Sequence, residues 1–173
     1  MSVKELITVP DDILRKKSEP LNKVDVNEKK LIKDLFETMY HHNGIGLAAV
    51  QVGILKRVVV LDVSKNENEK KPLCFINPQI KTLSEKMSTY EEGCLSIPNT
   101  FIEIERPEIC TVLYIDENGD KKEMECDGLL STCLQHEINH LDGKLIIDYL
   151  SKIKKDLIIK KLSKQKTSNR VVV

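Results

Sequence analysis

The chain has 173 residues and carries 27 basic and 27 acidic side chains, so its formal net charge is zero. This length predicts one domain with a substantial core, and the charge balance argues against DNA as a partner. The N-terminal residues lack the apolar core of a signal peptide, and no run reaches transmembrane length. We therefore expect a cytoplasmic protein, monomeric and without membrane contact. The five cysteines form no Cys-x-x-Cys pair, which predicts buried thiols or metal ligands rather than disulfides.

Two helical segments are predicted near the N-terminus. Residues 10–17 follow the pattern of a short helical turn that begins with proline. Asp25 followed by Glu28 is a capping-box pattern, and the apolar residues after it recur at helical spacing, which predicts an amphipathic helix. His41 and His42 lie at its C-terminal end and are interpreted as solvated side chains rather than ligands.

A block of strands is predicted for the middle of the chain. Residues 57–63 are rich in β-branched side chains and almost continuously apolar, which predicts a central strand. The composition of residues 64–71 predicts a charged surface loop. Pro78 is expected to divide the next apolar stretch into two short strands, 73–77 and 79–83.

A hairpin is predicted further along, because Asn118-Gly119 is a strong turn signal between apolar runs. Its two strands are expected at 110–115 and 122–126, and the alternating residues 101–105 predict another strand before them. The returning strand leads directly into a predicted helix over 128–142.

That helix contains the strongest functional signal, residues 136–140, which read His-Glu-Ile-Asn-His. Residues four apart lie on the same face of a helix, so His136 and His140 can hold one divalent metal. Glu137 between them can reach a water bound to that metal. A chance match to this pattern occurs at roughly a few per cent in a chain of this length, but it would rarely fall inside a well-formed apolar helix.

The C-terminal part is predicted to contain an extended apolar segment, 144–150, and a last helix over 151–166. The tail, 167–173, is expected to fray. One helical stripe is expected to pack on the domain, and it contains Ile153, Leu157, Ile158 and Leu162.

The predicted order is an N-terminal helix, mostly antiparallel strands and two further helices, with no internal repeat and no flexible linker. We therefore expect residues 1–173 to form one domain of the α+β class. In this fold the antiparallel sheets pack around the central helix 128–142, with one helix at each end of the chain.

A catalytic Zn²⁺ or Fe²⁺ takes three protein ligands and keeps one position open, so a third ligand is needed beside the two histidines. Cys94, within Glu-Glu-Gly-Cys-Leu-Ser-Ile-Pro at 91–98, is either a small buried hydrophobe or the thiolate of a Cys/His/His set. Residues 44–51, Gly-Ile-Gly-Leu-Ala-Ala-Val-Gln, would allow a ligand or another backbone to come close. Taken alone, that octapeptide favours a glycine turn entering a strand.

Segments 44–51, 92–96 and 135–140 together resemble the three motifs of the peptide deformylase family, GxGLAAxQ, EGCLS and the HExxH helix, in the family's order and at fitting separations. The resemblance covers about 10–162. The intact EGCLS motif and the helical C-terminus are similar to the type I bacterial branch. Of two small departures, Val50 falls at a variable position. The other, Asn139, stands where many relatives have Asp and puts one contact behind the metal ligands in doubt.

This resemblance implies an enzyme that removes the formyl group from the formyl-methionine of nascent chains and releases formate. Cys94, His136 and His140 would be the metal ligands. The family's native metal is Fe²⁺, for which Zn²⁺, Ni²⁺ or Co²⁺ can substitute. Glu137 would accept a proton from the attacking water and pass it to the leaving amine.

The resemblance also implies roles for residues around the ligands. The Gln51 side chain and the Leu95 backbone N–H would stabilise the oxyanion, and Glu92 would pair with Arg106 to fix the loop that carries Cys94. Gly46 would bring a backbone group close to the peptide. The methionine pocket would be lined by Ile45, Tyr90, Cys133 and the ring of His136.

Two other classes of protein fit the HExxH pattern taken alone. A zinc endopeptidase normally uses a downstream His or Glu as third ligand, and neither residue occurs from Leu141 onward. A non-enzymatic protein with a structural metal needs a closed site of four protein ligands, for which Cys133 is the only obvious fourth candidate.

The C-terminal helix carries a local excess of positive charge, with eight basic residues and one acid from Lys152 onward. Such runs are usually solvated faces. The segment also resembles the C-terminal helix by which deformylases of this branch dock on the ribosome, and the resemblance implies the same partner here.

Overall fold

The structure, a computed structural model, describes residues 2–64 and 69–168. Three α-helices and seven β-strands form an α+β fold, as predicted. The helices are α1 (Val26–His41), α2 (Gly128–Leu141) and α3 (Lys152–Ser168). The strands are β1 (Gly46–Ala48), β2 (Val58–Leu61), β3 (Leu73–Leu83), β4 (Met87–Cys94), β5 (Ile97–Pro107), β6 (Ile109–Ile115) and β7 (Lys121–Asp127).

The strands form two antiparallel sheets. The larger sheet has the order β1-β2-β3-β6-β7, and the smaller one consists of β4 and β5. The turn at Asn118-Gly119 joins β6 to β7 as predicted, because Ile115 pairs with Lys121 across it. The last strand, β7, passes directly into α2, which places the HExxH helix beside both sheets.

The larger sheet is covered on both faces, which explains why β2 is apolar throughout. Val59 and Leu61 point into a cluster with α2, whereas Val58 and Val60 point into a cluster with α1. A third cluster packs the smaller sheet against residues 145–147 and α3. The helix α2 is therefore largely enclosed, and most of its polar side chains are buried.

The capping box of α1 is confirmed. Asp25 accepts a hydrogen bond from Asn27 N at 2.9 Å, and its own backbone N–H donates to Glu28 at 3.4 Å. The predicted N-terminal turn is a short 3-10 helix, Asp12–Arg15.

The division of β3 at Pro78 was wrong. Leu73–Leu83 is one strand with a bulge between Ile76 and Gln79, which accommodates the proline. Asn77 adopts the left-handed conformation there, with φ of 51°, and its side chain exchanges two 2.8 Å hydrogen bonds with the Leu21 backbone. This long-range contact stabilises the bulge and keeps the strand continuous.

The predicted extended segment 144–150 was also wrong, because it contains a 3-10 helix, Ile146–Tyr149. The carboxylate of Asp148 accepts a hydrogen bond from Leu145 N at 2.9 Å and so caps this turn.

The helix α3 extends two residues beyond its predicted end, so Thr167 and Ser168 are helical; the rest of the expected frayed tail lies outside the described residues. The packing stripe predicted for α3 is confirmed for Leu162, which is buried, and for Ile158, which is partly buried. It is wrong for Ile153 and Leu157, which are 75% and 62% exposed. The contact face is rotated by about one residue from the predicted stripe, because Ile159 rather than Leu157 contacts the domain.

Within the described chain, no helix has the length and apolarity needed to cross a membrane.

Candidate functional site

The three predicted metal ligands converge in the structure. Cys94 ends β4, while His136 and His140 lie one turn apart on α2, and their ligand atoms are all within 4.8 Å of one another. Cys94 Sγ lies 3.2 Å from His140 Nε2. Among residues 2–64 and 69–168, this is the only cluster of three or more His, Cys, Asp or Glu side chains that could hold a metal ion.

A buried ion pair orients the first histidine. His136 Nδ1 lies 2.8 Å from Glu92 Oε2, which leaves Nε2 free to act as a ligand. Arg106 donates to both oxygens of Glu92, from Nε at 2.5 Å and from Nη2 at 3.0 Å. Arg106 is 4% exposed, so this bidentate pair is shielded from water. The predicted pairing of Glu92 with Arg106 is present, and it extends to His136.

Two further side chains hold the guanidinium of Arg106. Its Nη1 donates to Asn139 Oδ1 at 2.9 Å and to the Tyr149 hydroxyl at 3.0 Å. The contact that was in doubt at Asn139 is present, because its amide oxygen accepts this hydrogen bond from Arg106. Tyr149 was missed, since an extended segment 144–150 gives no reason to place its ring beside Arg106.

Glu137 is enclosed by protein. Burial raises the pKa of its carboxyl to about 7, which suits a group that must both accept and release a proton near neutrality. Its Oε2 has no hydrogen-bond partner in the described part of the chain. The absence of a side chain at Gly46 leaves room for the Glu137 carboxyl, because a Cβ at position 46 would lie 2.5 Å from Glu137 Oε1.

The two histidines are in different electrostatic environments. Burial holds the pKa of His140 well below its usual value, so this ring is neutral and available as a ligand. Burial also lowers the pKa of His136, but its contacts with Cys94 and Glu92 outweigh that effect and raise the pKa to about 10.

Gln51 is positioned beside the cysteine. Its Oε1 accepts from Ala48 N at 2.8 Å, which fixes the orientation of the amide. Its Nε2 then donates to Ser96 Oγ at 3.2 Å and lies 3.7 Å from Cys94 Sγ. Leu95 follows Cys94 in the turn between β4 and β5.

A cavity of about 580 Å³ opens beside these groups. All four predicted substrate-binding residues line it, together with six of the predicted catalytic, metal and supporting residues. These ten residues are Ile45, Gly46, Tyr90, Cys133, Gln51, Glu92, Cys94, Leu95, His136 and Glu137. His140 and Arg106 are not among the lining residues.

Other lining residues were not predicted. Leu129 and Thr132 lie on α2 next to the predicted face, and the spacing of Leu129 from Cys133 could have revealed it. His42, interpreted as solvated, is exposed but contributes to the rim. Phe101 carried no motif signal, because its position depends on how β4 and β5 pair.

The residues present fit a catalytic metal. One thiolate and two imidazoles are a donor set that suits Fe²⁺ or Zn²⁺, and three protein ligands would leave a coordination position for water or substrate. Cys133 is not part of the ligand group found in the described chain, which argues against a closed structural site.

A family model described as polypeptide deformylase matches residues 3–156. The chain belongs to this family. The peptide deformylase of Pelagibacter ubique is 54% identical over 173 residues, covering 100% of both proteins. A crystal structure of peptide deformylase from Ehrlichia chaffeensis has a TM-score of 0.92 and 42% identity, covering 98% of this chain and 100% of that chain.

A second Ehrlichia chaffeensis structure, in complex with actinonin, has a TM-score of 0.89 and 44% identity, covering 95% of this chain and 98% of that chain. Membership of the deformylase family makes the chain a hydrolase, and the endopeptidase and structural-metal alternatives are wrong.

Proposed function

We propose that this site carries out the reaction of its family, removal of the N-formyl group from formyl-methionine at the start of nascent polypeptides, with formate as product. The observation that carries the proposal is the convergence of Cys94, His136 and His140 beside the buried Glu137, whose Oε2 has no hydrogen-bond partner among the described residues. We also propose that residues 1–173 act as one monomeric domain in the cytoplasm.

Cys94, His136 and His140 hold one Fe²⁺ in the cell, and Zn²⁺, Ni²⁺ or Co²⁺ can replace it. When bound, such an ion supplies Lewis-acid chemistry and lowers the pKa of water. The Glu92–Arg106 pair keeps the His136 ring in its binding orientation.

Glu137 moves the proton. Its carboxylate accepts a proton from the attacking water and returns it to the amine that leaves when the formyl C–N bond breaks. The raised pKa of Glu137 supports this role, because a carboxyl with a pKa of about 7 exchanges protons in both directions at neutral pH.

Gln51 and the Leu95 backbone N–H stabilise the oxyanion that forms on the formyl oxygen. Gln51 is prepared for this, since Ala48 holds its amide oxygen and leaves the NH₂ group directed toward Cys94. The methionine side chain occupies the apolar part of the cavity, between Ile45, Tyr90 and Cys133.

The helix α3 docks on the large ribosomal subunit near the exit tunnel. Its exposed surface combines lysines with Ile153 and Leu157, so apolar contact adds to attraction by RNA phosphate. Lys155 contributes less, because it is paired with Asp148. Lys154, Lys161 and Lys164 are exposed, and the Lys166 side chain lies outside the described part.

The docking is tested by ribosome co-sedimentation at low salt. Lys154→Glu combined with Lys164→Glu reduces the bound fraction, and Ile153→Ser combined with Leu157→Ser reduces it at higher salt as well. Both variants keep near-normal turnover of a short free peptide. Unchanged co-sedimentation of both would leave α3 as a packing element only.

The activity is tested by formate release from formyl-Met-Ala-Ser with anaerobically purified protein. Actinonin is expected to inhibit, because it is bound in the Ehrlichia chaffeensis relative. His140→Ala loses metal and activity together, by elemental analysis and by assay. An inactive metal-loaded protein, or a His140→Ala variant with full metal content, would contradict the assignment.

A further inference from the structure

A second cavity, of about 240 Å³, lies between the start of β5 and the helix α3. It shares the segment Pro98–Asn99–Thr100–Phe101 with the substrate cavity, so the two spaces adjoin along these four residues. None of the catalytic, metal-binding or substrate-binding roles described above uses the second cavity.

The shared segment projects from the smaller sheet. Cys94 pairs with Ile97 and Gly93 pairs with Phe101, so the three residues from Pro98 to Thr100 have no partners on β4. The ring of Phe101 lies against Gly93, where a Cβ would come within 2.9 Å of it, and yet the residue is 67% exposed. Phe101 therefore forms an exposed aromatic ridge between the two cavities.

One face of α3 forms the wall of the second cavity opposite the shared segment. Ile158, Lys161, Leu162 and Gln165 recur at helical spacing, with the aliphatic pair at the base and the polar pair on the rim. Lys161 is exposed and makes no ion pair with any described residue. The lining of this cavity includes one cation and no carboxylate.

Charge on the other side of Phe101 has the opposite sign. Glu91 and Glu103 face each other directly across β4 and β5, and both are exposed. A carboxylate that passes over the Phe101 ridge is therefore repelled on the β4 side and attracted on the α3 side.

From this geometry we infer that the second cavity is a subsite for the formylated polypeptide, which takes an acidic side chain downstream of the methionine and pairs it with Lys161 and Gln165. The inference rests on the proposed function, because the occupant assigned to the second cavity is the downstream part of the peptide whose methionine the proposed function places in the first. An extended chain advances about 3.3 Å per residue, so residues three to five of the substrate reach about 7–13 Å beyond the methionine. That distance is enough to cross one ridge of side chains.

The experiment compares five-residue formyl-Met peptides that carry Glu, Ala or Lys at position three, four or five, with formyl-Met-Ala as the short reference. At one of these positions Glu is expected to give a kcat/KM about 3–10-fold above Lys, mainly through KM, as for a solvent-accessible ion pair. Lys161→Glu abolishes or reverses the preference and leaves turnover of formyl-Met-Ala unchanged.

Lys164→Glu is the matched control, since it makes the same charge change on α3 at a residue outside the cavity lining. A Glu/Lys ratio that is the same in the unsubstituted protein and in Lys161→Glu would overturn the subsite. So would an equal shift in Lys164→Glu, because the effect would then be a general field. Failure to hydrolyse formyl-Met-Ala at all would overturn the proposed function, and the subsite with it.

Discussion

The hydroxyl of Tyr149 bridges Arg106 and Asn139. It accepts from Arg106 Nη1 at 3.0 Å and donates to Asn139 Oδ1 at 3.2 Å, and the guanidinium carbon lies 5.1 Å from the centre of the ring. Since Arg106 fixes Glu92, and Glu92 fixes His136, the turn after α2 supports a predicted metal ligand to which it makes no direct contact.

Removing this hydroxyl should loosen the metal more than it slows the reaction. In Tyr149→Phe the ring remains but Arg106 loses one acceptor, so we expect metal transfer to a chelator to become about 3–10-fold faster. Adding Asn139→Asp should restore the slow rate, because a carboxylate replaces the lost acceptor with a stronger one. Equal chelator rates in all three proteins would show that Tyr149 only packs.

Glu137 is expected to be needed for proton transfer and not for metal binding. Glu137→Gln keeps the shape of the side chain but cannot accept a proton, so kcat should fall by about 10²–10⁴-fold with metal content unchanged. Elemental analysis and a kcat measurement on the same preparation distinguish a role in proton transfer from a role in metal binding. Loss of metal in this variant would indicate a ligand instead.

Gln51 is expected to act on the transition state more than on bound substrate. Gln51→Leu removes the amide donor and should lower kcat by about 10²-fold, with a smaller change in KM. Ser96→Ala is the control, because it removes only the neighbouring hydroxyl that the amide contacts. A change confined to KM would contradict the oxyanion role.

The Asp148 carboxylate should make stability depend on pH at the acid end. Burial raises its pKa, but hydrogen bonds from Arg15, Lys155 and Leu145 N outweigh burial and lower the pKa from 3.8 to about 2. A carboxyl with a lowered folded-state pKa stabilises the fold fully above about pH 4, and this stabilisation is lost as the pH falls toward 2.

Asp148→Asn should therefore lower the free energy of unfolding by about 1 kcal/mol at pH 7, after allowance for solvent screening, and by much less at pH 2. Urea unfolding of the metal-free protein at both pH values measures the difference. Asp156→Asn, which removes a carboxylate on α3 that is in no described ion pair, should change neither value. A constant deficit across pH would mean that Asp148 acts only as a cap.

Local signals in the sequence were enough for much of the fold. The capping box of α1 and the Asn118-Gly119 hairpin depend on residues close together in the chain, and both are present as predicted. The bulge in β3 could not be predicted, because it depends on Asn77 binding the distant backbone of Leu21. Periodicity alone also could not decide which side of α3 faces the domain.

Some residues of the candidate site could likewise be predicted from local sequence, and others could not. The motifs contained the predicted ligands and Glu137, and helical spacing explains why His136 and His140 share a face. Tyr149 and Phe101 have no motif, since the first depends on a 3-10 turn and the second on the register of β4 with β5. Such residues become visible only when tertiary contacts are known.

Cys94 and His140 are 46 residues apart in sequence, and β5, β6 and β7 all lie between them. An ion held by both would close that stretch into a loop, as a cross-link does, and would remove from the unfolded chain the many conformations in which the two residues are far apart. The entropy lost in this way grows only slowly with loop length, so shortening the loops within this stretch would change it little. The affinity of the protein for the ion and its free energy of unfolding are then thermodynamically linked. Removing the ion with a chelator should therefore lower the unfolding temperature even of regions far from the cavity.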